Sequence, residues 1–209
     1  MQASEIELKF PVPDPAAFQS MLPALGFHLD TSRTFESNTL YDTPHRDLRA
    51  RKELLRIRQY GQLWTVTHKR PSTSTEQSAD AKYKVRIETE THVDDGEATA
   101  EIFSHLGYTP VFRYEKYRTE WSQMPLFAAE RPDGAIGHLV VDETPIGNYA
   151  ELEGPPDWID SMLELLGVDA SSSLTDSYGK LFQDWKERTG STVDHLTFAG
   201  IAAPVLVTT

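Results

Sequence analysis

Apolar and charged positions alternate along the run SEIELKF: Ile6, Leu8 and Phe10 lie between Glu5, Glu7 and Lys9. Period-two alternation predicts a β-strand with one apolar face, and here the opposite face carries a stripe of charge. The pattern recurs. ELLRIRQYGQLWTVTHKRP reads as two alternating runs joined around Gly61, a β-hairpin in which Arg56 and Arg58 share one face and Leu55 and Ile57 the other. On its second strand, Trp64, Val66 and His68 oppose Thr65, Thr67 and Lys69. YKVRIETETHV sets Arg86, Glu88 and Glu90 against Val85, Ile87 and Thr89. In PVFRYEKYRTEWSQM, Tyr114, Lys116, Arg118 and Glu120 share a face, with Arg113, Glu115, Tyr117 and Trp121 on the other. AIGHLVVDET, which carries Asp142, and NYAELEGP, which places Glu151 and Glu153 together, predict two more strands.

Between these strands the signals change. PDPAAFQSMLPALGF opens with Asp14 and Pro15 and stops at Gly26, which predicts a helix. DDGEATAEIFSHLGY predicts another, capped by Asp94 or Asp95 and ended by Gly107. PPDWIDSMLELLGV and LTDSYGKLFQDWKERTG predict two late helices with Asp157 and Thr175 as cap residues. RTFESNTLYDTP reads as a strand entering an Asp-Thr-Pro turn, HRDLRARK as a polar connection and STSTEQSADAK as a loop.

Nearly every predicted strand therefore has a charged face. A sheet closed into a barrel would turn those faces inward, giving an interior of mixed sign with apolar faces packed outward against helices. Isolated buried ions cost several kcal/mol each by typical estimates, so such an interior needs pairing or a ligand. Polyphosphate with a metal requires both signs, because Arg and Lys fork onto phosphate oxygens while carboxylates hold hard cations. From spacing alone, a solvated sheet face laced with cross-strand ion pairs remains the competing arrangement.

Composition narrows the partners. A net charge of −12 and a pI near 5.0 argue against a broad basic surface for nucleic acid or anionic membrane. A small polyanion is then expected only where basic residues are focused in a cavity. The absence of cysteine excludes a disulfide framework and thiolate chemistry, and fits a cytoplasmic location. MQASEIELKF has no secretory pattern, and FAGIAAPVLV, broken by Pro204, is too short to span a bilayer and reads as a tail or edge segment. The histidines His28, His45, His68, His92, His105, His138 and His195 show no zinc spacing, and no P-loop or dinucleotide-binding glycine motif occurs.

In this order the motifs resemble those of the CYTH domain proteins, also called triphosphate tunnel metalloenzymes. The family's Glu-x-Glu-x-Lys signature stands as Glu5-Ile6-Glu7-Leu8-Lys9, followed by YDTP, LRIR, the lysine of VTHKRP, RIETE, YEKYR, VVDE and ELEG. The resemblance implies a mainly β (α+β) fold: a closed antiparallel barrel of about eight strands with surrounding helices. It implies one tunnel domain over residues 1–189 and a C-terminal tail over 190–209. It also implies Mg2+ or Mn2+ as cofactor. Glu5, Glu7, Asp142, Glu151 and Glu153 would then be catalytic and metal-facing, with Glu88 and Glu90 as further metal candidates that alternatively pair with basic residues. Lys9, Arg56, Arg58, Lys69, Lys116 and Arg118, and more weakly Arg86, would grip phosphate oxygens.

Tyr41, Asp42 and Pro44 match the family's turn; Lys180 is a candidate to swing over the tunnel mouth, against the plainer expectation of a solvated lysine. The implied partner is a small-molecule triphosphate, with no nucleic acid or membrane, on a monomer or homodimer. The implied reaction is metal-dependent hydrolysis of inorganic, thiamine or nucleoside triphosphate. The alternatives are a class IV adenylyl cyclase, for which Tyr60, Trp64, Phe112 or Tyr114 offer base stacking, and a binding module without catalysis.

Overall fold

The alternating runs pair into one continuous surface in the computed structural model, which describes residues 2–71, 83–123 and 137–202. Its strands are β1 (Gln2–Pro11), β2 (Phe27–Asp42), β3 (Leu54–Tyr60), β4 (Leu63–Pro71), β5 (Lys84–Val93), β6 (Thr109–Gln123), β7 (His138–Thr144) and β8 (Gly147–Glu153). They close into an antiparallel barrel in the order β1-β5-β4-β3-β2-β6-β7-β8. The segment STSTEQSADAK, expected as a loop, lies outside the described residues.

Closure sorts the side chains by parity. Leu8 and Phe10 of β1 point outward and are fully buried beneath helices, whereas Glu5, Glu7 and Lys9 point inward. The outer core joins β1, β7 and β8 to α1 (Pro15–Met21) and a long C-terminal helix, here α4 (Pro156–Leu166), through Leu139, Leu152, Ile159 and Trp158. Burying each such side chain contributes about 1.5–3 kcal/mol, which offsets part of the cost of an ionic interior. Gly154 permits the contact: a Cβ there would come within 2.9 Å of the Trp158 ring.

The other helices are α2 (Asp47–Ala50), α3 (Gly96–His105), α5 (Tyr178–Thr189) and α6 (Phe198–Ala202). Asp14 caps α1 by accepting from Ala17 N, and Asp95, not Asp94, caps α3. The two late caps differ from expectation. At α4 the cap is Pro155, whose side chain has no acceptor and makes no capping bond, while Pro156 at the first helical position removes one of the unpaired N–H groups. At α5 Ser177 caps, accepting from Lys180 N, so the helix begins later than the Thr175 assignment implied. In the YDTP turn, the Asp42 carboxylate accepts from Thr43, Leu48 and Arg49 N–H groups and so caps the start of α2.

One gap in the barrel explains the position of the chain after α5. β7 pairs with β6 only from Tyr117 to Ser122, leaving the start of β6 without a β7 partner on that side. Leu196 fills it: Glu115 N donates to Leu196 O (2.8 Å) and Leu196 N to Arg113 O (3.0 Å). Leu196 is fully buried there against Tyr114, Tyr178 and Phe182, so an otherwise open strand edge is covered. Among the described residues, no helix is long and apolar enough to cross a membrane.

Candidate functional site

The inward faces surround a cavity of about 690 Å3. Lining positions run along β6 from Phe112 to Glu120, so the cavity follows the barrel axis. Of the residues singled out from sequence, Glu5, Glu7, Lys9, Arg56, Arg58, Lys69, Arg86, Glu88, Glu90, Lys116, Arg118, Glu151 and Glu153 all line it. Asp142 does not.

Three carboxylates converge. Glu5, Glu7 and Glu153 each offer an oxygen within 4.8 Å of the others. Burial raises the Glu153 carboxyl to about 7; Arg118 opposes this, and Glu5, Glu151 and Glu7 add to it. The group thus sits among more negative charge than its cations offset. Hard oxygen donors at this spacing fit a divalent cation such as Mg2+ or Mn2+.

The remaining carboxylates hold cations in place. Glu5 also accepts from Lys69 Nζ (2.6 Å), which reaches Glu88 at 3.0 Å, while Glu7 accepts from Lys84. Glu90 accepts from Thr67 Oγ1 (2.7 Å) and pairs with Arg58 (3.3 Å) and Arg56 (3.7 Å). Glu151 pairs with Lys9 (2.8 Å) and Arg118 (2.7 Å). Burial alone would raise the Glu151 carboxyl, but Lys9, Arg118 and Lys116 hold it well below the ordinary range. Burial lowers the Lys9 ammonium, and Glu151 and Glu7 more than compensate.

Asp142 is fully buried, and its two oxygens accept from Lys116 Nζ (2.8 Å), Arg118 Nε and Nη2 (both 2.7 Å) and the Tyr178 hydroxyl (2.7 Å). Those donors take up both of its oxygens, and it stands apart from the Glu5, Glu7 and Glu153 group. Glu88 and Glu90 likewise stand with Lys69 and the arginines, the second of the two arrangements expected for them.

Several contributors escape a reading by motif. Glu36 on β2 is fully buried 3.4 Å from Lys116, with Asn38 Nδ2 donating to its Oε1 at 2.8 Å. Both lie on one alternating face of FESNTL, a signal that points to them once the strand is read at period two. Lys84, two positions before Arg86, follows from extending the alternation one step back. Tyr178 had no such signal. At the start of α5, its ring lies under Lys9 (4.2 Å) and Lys116 (5.0 Å) and stacks on Tyr114 (5.8 Å). Burial, with Asp142 and Glu151 nearby, raises its hydroxyl well above the ordinary range.

Other candidates lie elsewhere. Lys180 is exposed and pairs with Asp184 one turn on, as a solvated helix lysine. His68 approaches Glu53 (3.3 Å), outside the cavity lining. Trp64 packs against α3 at Gly96, and neither it nor Tyr60 lines the cavity; Phe112 and Tyr114 do.

Known proteins share this architecture. A Vibrio parahaemolyticus structure provisionally called an adenylate cyclase superposes with TM-score 0.69 at 17% identity, covering 86% of this chain and 97% of that one. A Hippeastrum structure, provisionally an adenylyl cyclase and described as revealing a dominant triphosphatase activity, matches with TM-score 0.57 at 19% identity over 88% and 96% of the respective chains. In sequence, a Methanocaldococcus jannaschii protein provisionally named an adenylate cyclase is 25% identical over 177 residues, 85% of this chain and 97% of that protein. Residues 3–158, from the Glu-x-Glu-x-Lys strand into α4, match the CYTH domain, and the chain belongs to that family.

Proposed function

We propose that the cavity binds the triphosphate of a small molecule and, with a divalent cation, promotes attack of water on one P–O–P linkage. The observation that carries this reading is the Glu5, Glu7 and Glu153 cluster opening into the same cavity as Arg56, Arg58, Lys69, Lys116 and Arg118. Held by those three carboxylates, Mg2+ or Mn2+ would neutralise phosphate charge and polarise the phosphorus centre. The protein's own part is positioning. Arg118 and Lys116, pinned by Asp142, present N–H donors whose geometry is set before substrate arrives, so little reorganisation is needed as charge develops on the leaving diphosphate. Arg58, at 3.3 Å from Glu90, is held less tightly and can exchange that carboxylate for a phosphate oxygen.

Hydrolysis ranks ahead of cyclisation because the Hippeastrum relative, despite its cyclase label, is described by its triphosphatase activity. The name of the Methanocaldococcus jannaschii relative supports the adenylyl cyclase reading, in which the ribose 3′-oxygen replaces water in the same cavity. Incubation with Mg2+ or Mn2+ and, separately, tripolyphosphate, thiamine triphosphate and ATP, followed by phosphorus NMR, tests both. Orthophosphate is the expected product; pyrophosphate with cyclic AMP reverses the ranking, and binding without turnover removes catalysis. Glu5→Gln and Glu7→Gln are expected to lower turnover at least a hundredfold with the melting curve still cooperative, since such substitutions remove a cation-binding oxygen and its charge. Unchanged turnover at saturating metal would remove these carboxylates from the site.

A further inference from the structure

We propose that Lys84 is a resident counter-cation of the carboxylate cluster: it occupies Glu7 until a divalent cation takes that carboxylate, then turns to a phosphate oxygen, so that metal loading readies the cavity for the polyanion; this rests on the triphosphate reading above. Lysines already stand on two of the three clustered carboxylates. Lys69 Nζ reaches both oxygens of Glu5 (2.7 and 2.6 Å), and Lys84 Nζ donates to Glu7 Oε1. Glu7 and Lys84 are registered directly opposite each other across β1 and β5, so their side chains meet without either strand moving. Both line the cavity.

The lysines of the lining differ in what else holds them. Lys69 also pairs with Glu88 at 3.0 Å. Lys9 adds the Asp176 carbonyl (3.1 Å) and the Tyr178 ring to its pair with Glu151, and Lys116 lies between Asp142 (2.8 Å) and Glu36 (3.4 Å). Among the described residues Lys84 bonds to Glu7 alone, and its side chain is 21% exposed where that of Lys69 is 14%. Of the four lysines lining the cavity, it is therefore the one whose ammonium can leave its carboxylate without abandoning a second partner. A divalent cation competes with that ammonium for the same oxygen, and like charges a few ångströms apart in a partly desolvated space repel. Displacement leaves a cation in the cavity wall without a counter-ion, a costly state that a phosphate oxygen relieves. The flexible four-carbon stem lets the ammonium make that move with the strand fixed.

The test reads metal binding apart from turnover. Mn2+ is titrated calorimetrically into the metal-free protein, and a methylene-bridged tripolyphosphate analogue that cannot be hydrolysed is titrated into the Mn2+-saturated protein, for the wild type, Lys84→Met and Lys84→Gln. Affinities are read from a variant that melts cooperatively, and either variant suffices. Mn2+ is expected to bind about fivefold more tightly, because a competing cation is gone, and the analogue about tenfold more weakly, because a charged phosphate donor is gone. A lysine that only braces the fold or orients Glu7 would lower both affinities. Mn2+ affinity that is unchanged or reduced in the variants overturns this inference, as does unchanged affinity for the analogue, and either result leaves the triphosphate reading standing. A wild type that binds no Mn2+, or that binds Mn2+ and not the analogue, overturns both.

Discussion

Glu36 has no exposed surface and yet is ionised: burial opposes its charge, while Lys116, Arg118, Arg58 and Arg56 outweigh burial and hold the carboxyl at about 2. A carboxyl whose folded value lies below its unfolded value of 4.5 stabilises the fold fully above that pH. That contribution is lost as pH falls from about 4.5 through about 2. A shift of this size corresponds to about 3 kcal/mol. Glu36→Gln keeps the shape and the oxygen that accepts from Asn38 but leaves the cations short of one carboxylate, so stability at pH 7 is expected to drop by an amount of that order. The more telling result is the acid limb. Urea melts between pH 5 and 2 should fall less steeply for the variant than for the wild type, and parallel slopes would show that Glu36 is not ionised in the fold. The site was legible in sequence wherever charge recurred inside a motif, as at Glu5, Glu7 and Lys9. Glu36 and Asn38 share the period but stand singly among Ser and Thr, and Tyr178 reaches the interior from a helix, so no strand pattern marks it.

At the scale of elements, the docking of α3 on the hairpin depends on a missing side chain. A Cβ on Gly96 would lie 2.0 Å from the Trp64 ring, well inside any real contact. Gly96→Ala must therefore displace the first turn of α3 or rotate the indole, and overpacking of this kind costs about 1–3 kcal/mol. A loss of roughly 2–10 °C in Tm is expected by calorimetry, with affinity for tripolyphosphate unaltered, because Trp64 faces away from the cavity lining. Weakened tripolyphosphate binding in this variant would mean that Trp64 communicates with the interior. The same indole shows how far a strand pattern reaches. Alternation places Trp64 on the face opposite Thr65 and Thr67, and the structure keeps that parity; what packs on the face is decided by α3, which follows directly on β5, where Val93 is registered with Trp64. Caps were less legible than strands. Pro155 and Ser177 stand where Asp157 and Thr175 were expected, because the proline pair presets the start of α4 and the Ser177 hydroxyl accepts from Lys180 N, while the β6 edge that recruits Leu196 exists only after closure leaves β7 short.

For the molecule as a whole, net charge and local charge point in different directions. The chain carries −12 overall, yet Lys9, Arg56, Arg58, Lys69, Lys84, Arg86, Lys116 and Arg118 all line one cavity. Facing them are the carboxylates Glu5, Glu7, Asp30, Glu88, Glu90, Glu120, Glu151 and Glu153, equal in number. A lining matched in formal charge, with Glu36 and Asp142 buried behind Lys116 and Arg118, resists a polyanion entering alone, since that leaves uncompensated negative charge in a partly desolvated space. Entry of both a polyanion and a divalent cation offsets part of the polyanion's charge, so their binding is reciprocally coupled. At ligand concentrations a hundredfold above Kd, stabilisation is about 2.7 kcal/mol, which for a chain of this size raises Tm by roughly 5–10 °C. Scanning calorimetry with Mg2+, with tripolyphosphate and with both, each matched in ionic strength by sodium chloride, should give a joint shift larger than the sum of the separate ones. In Glu7→Gln the excess should disappear while the smaller tripolyphosphate shift persists or grows, because one carboxylate facing the cations has been neutralised. Equal shifts with and without Mg2+ in the wild type would separate the polyanion from the carboxylate cluster and leave the cations as a site of their own.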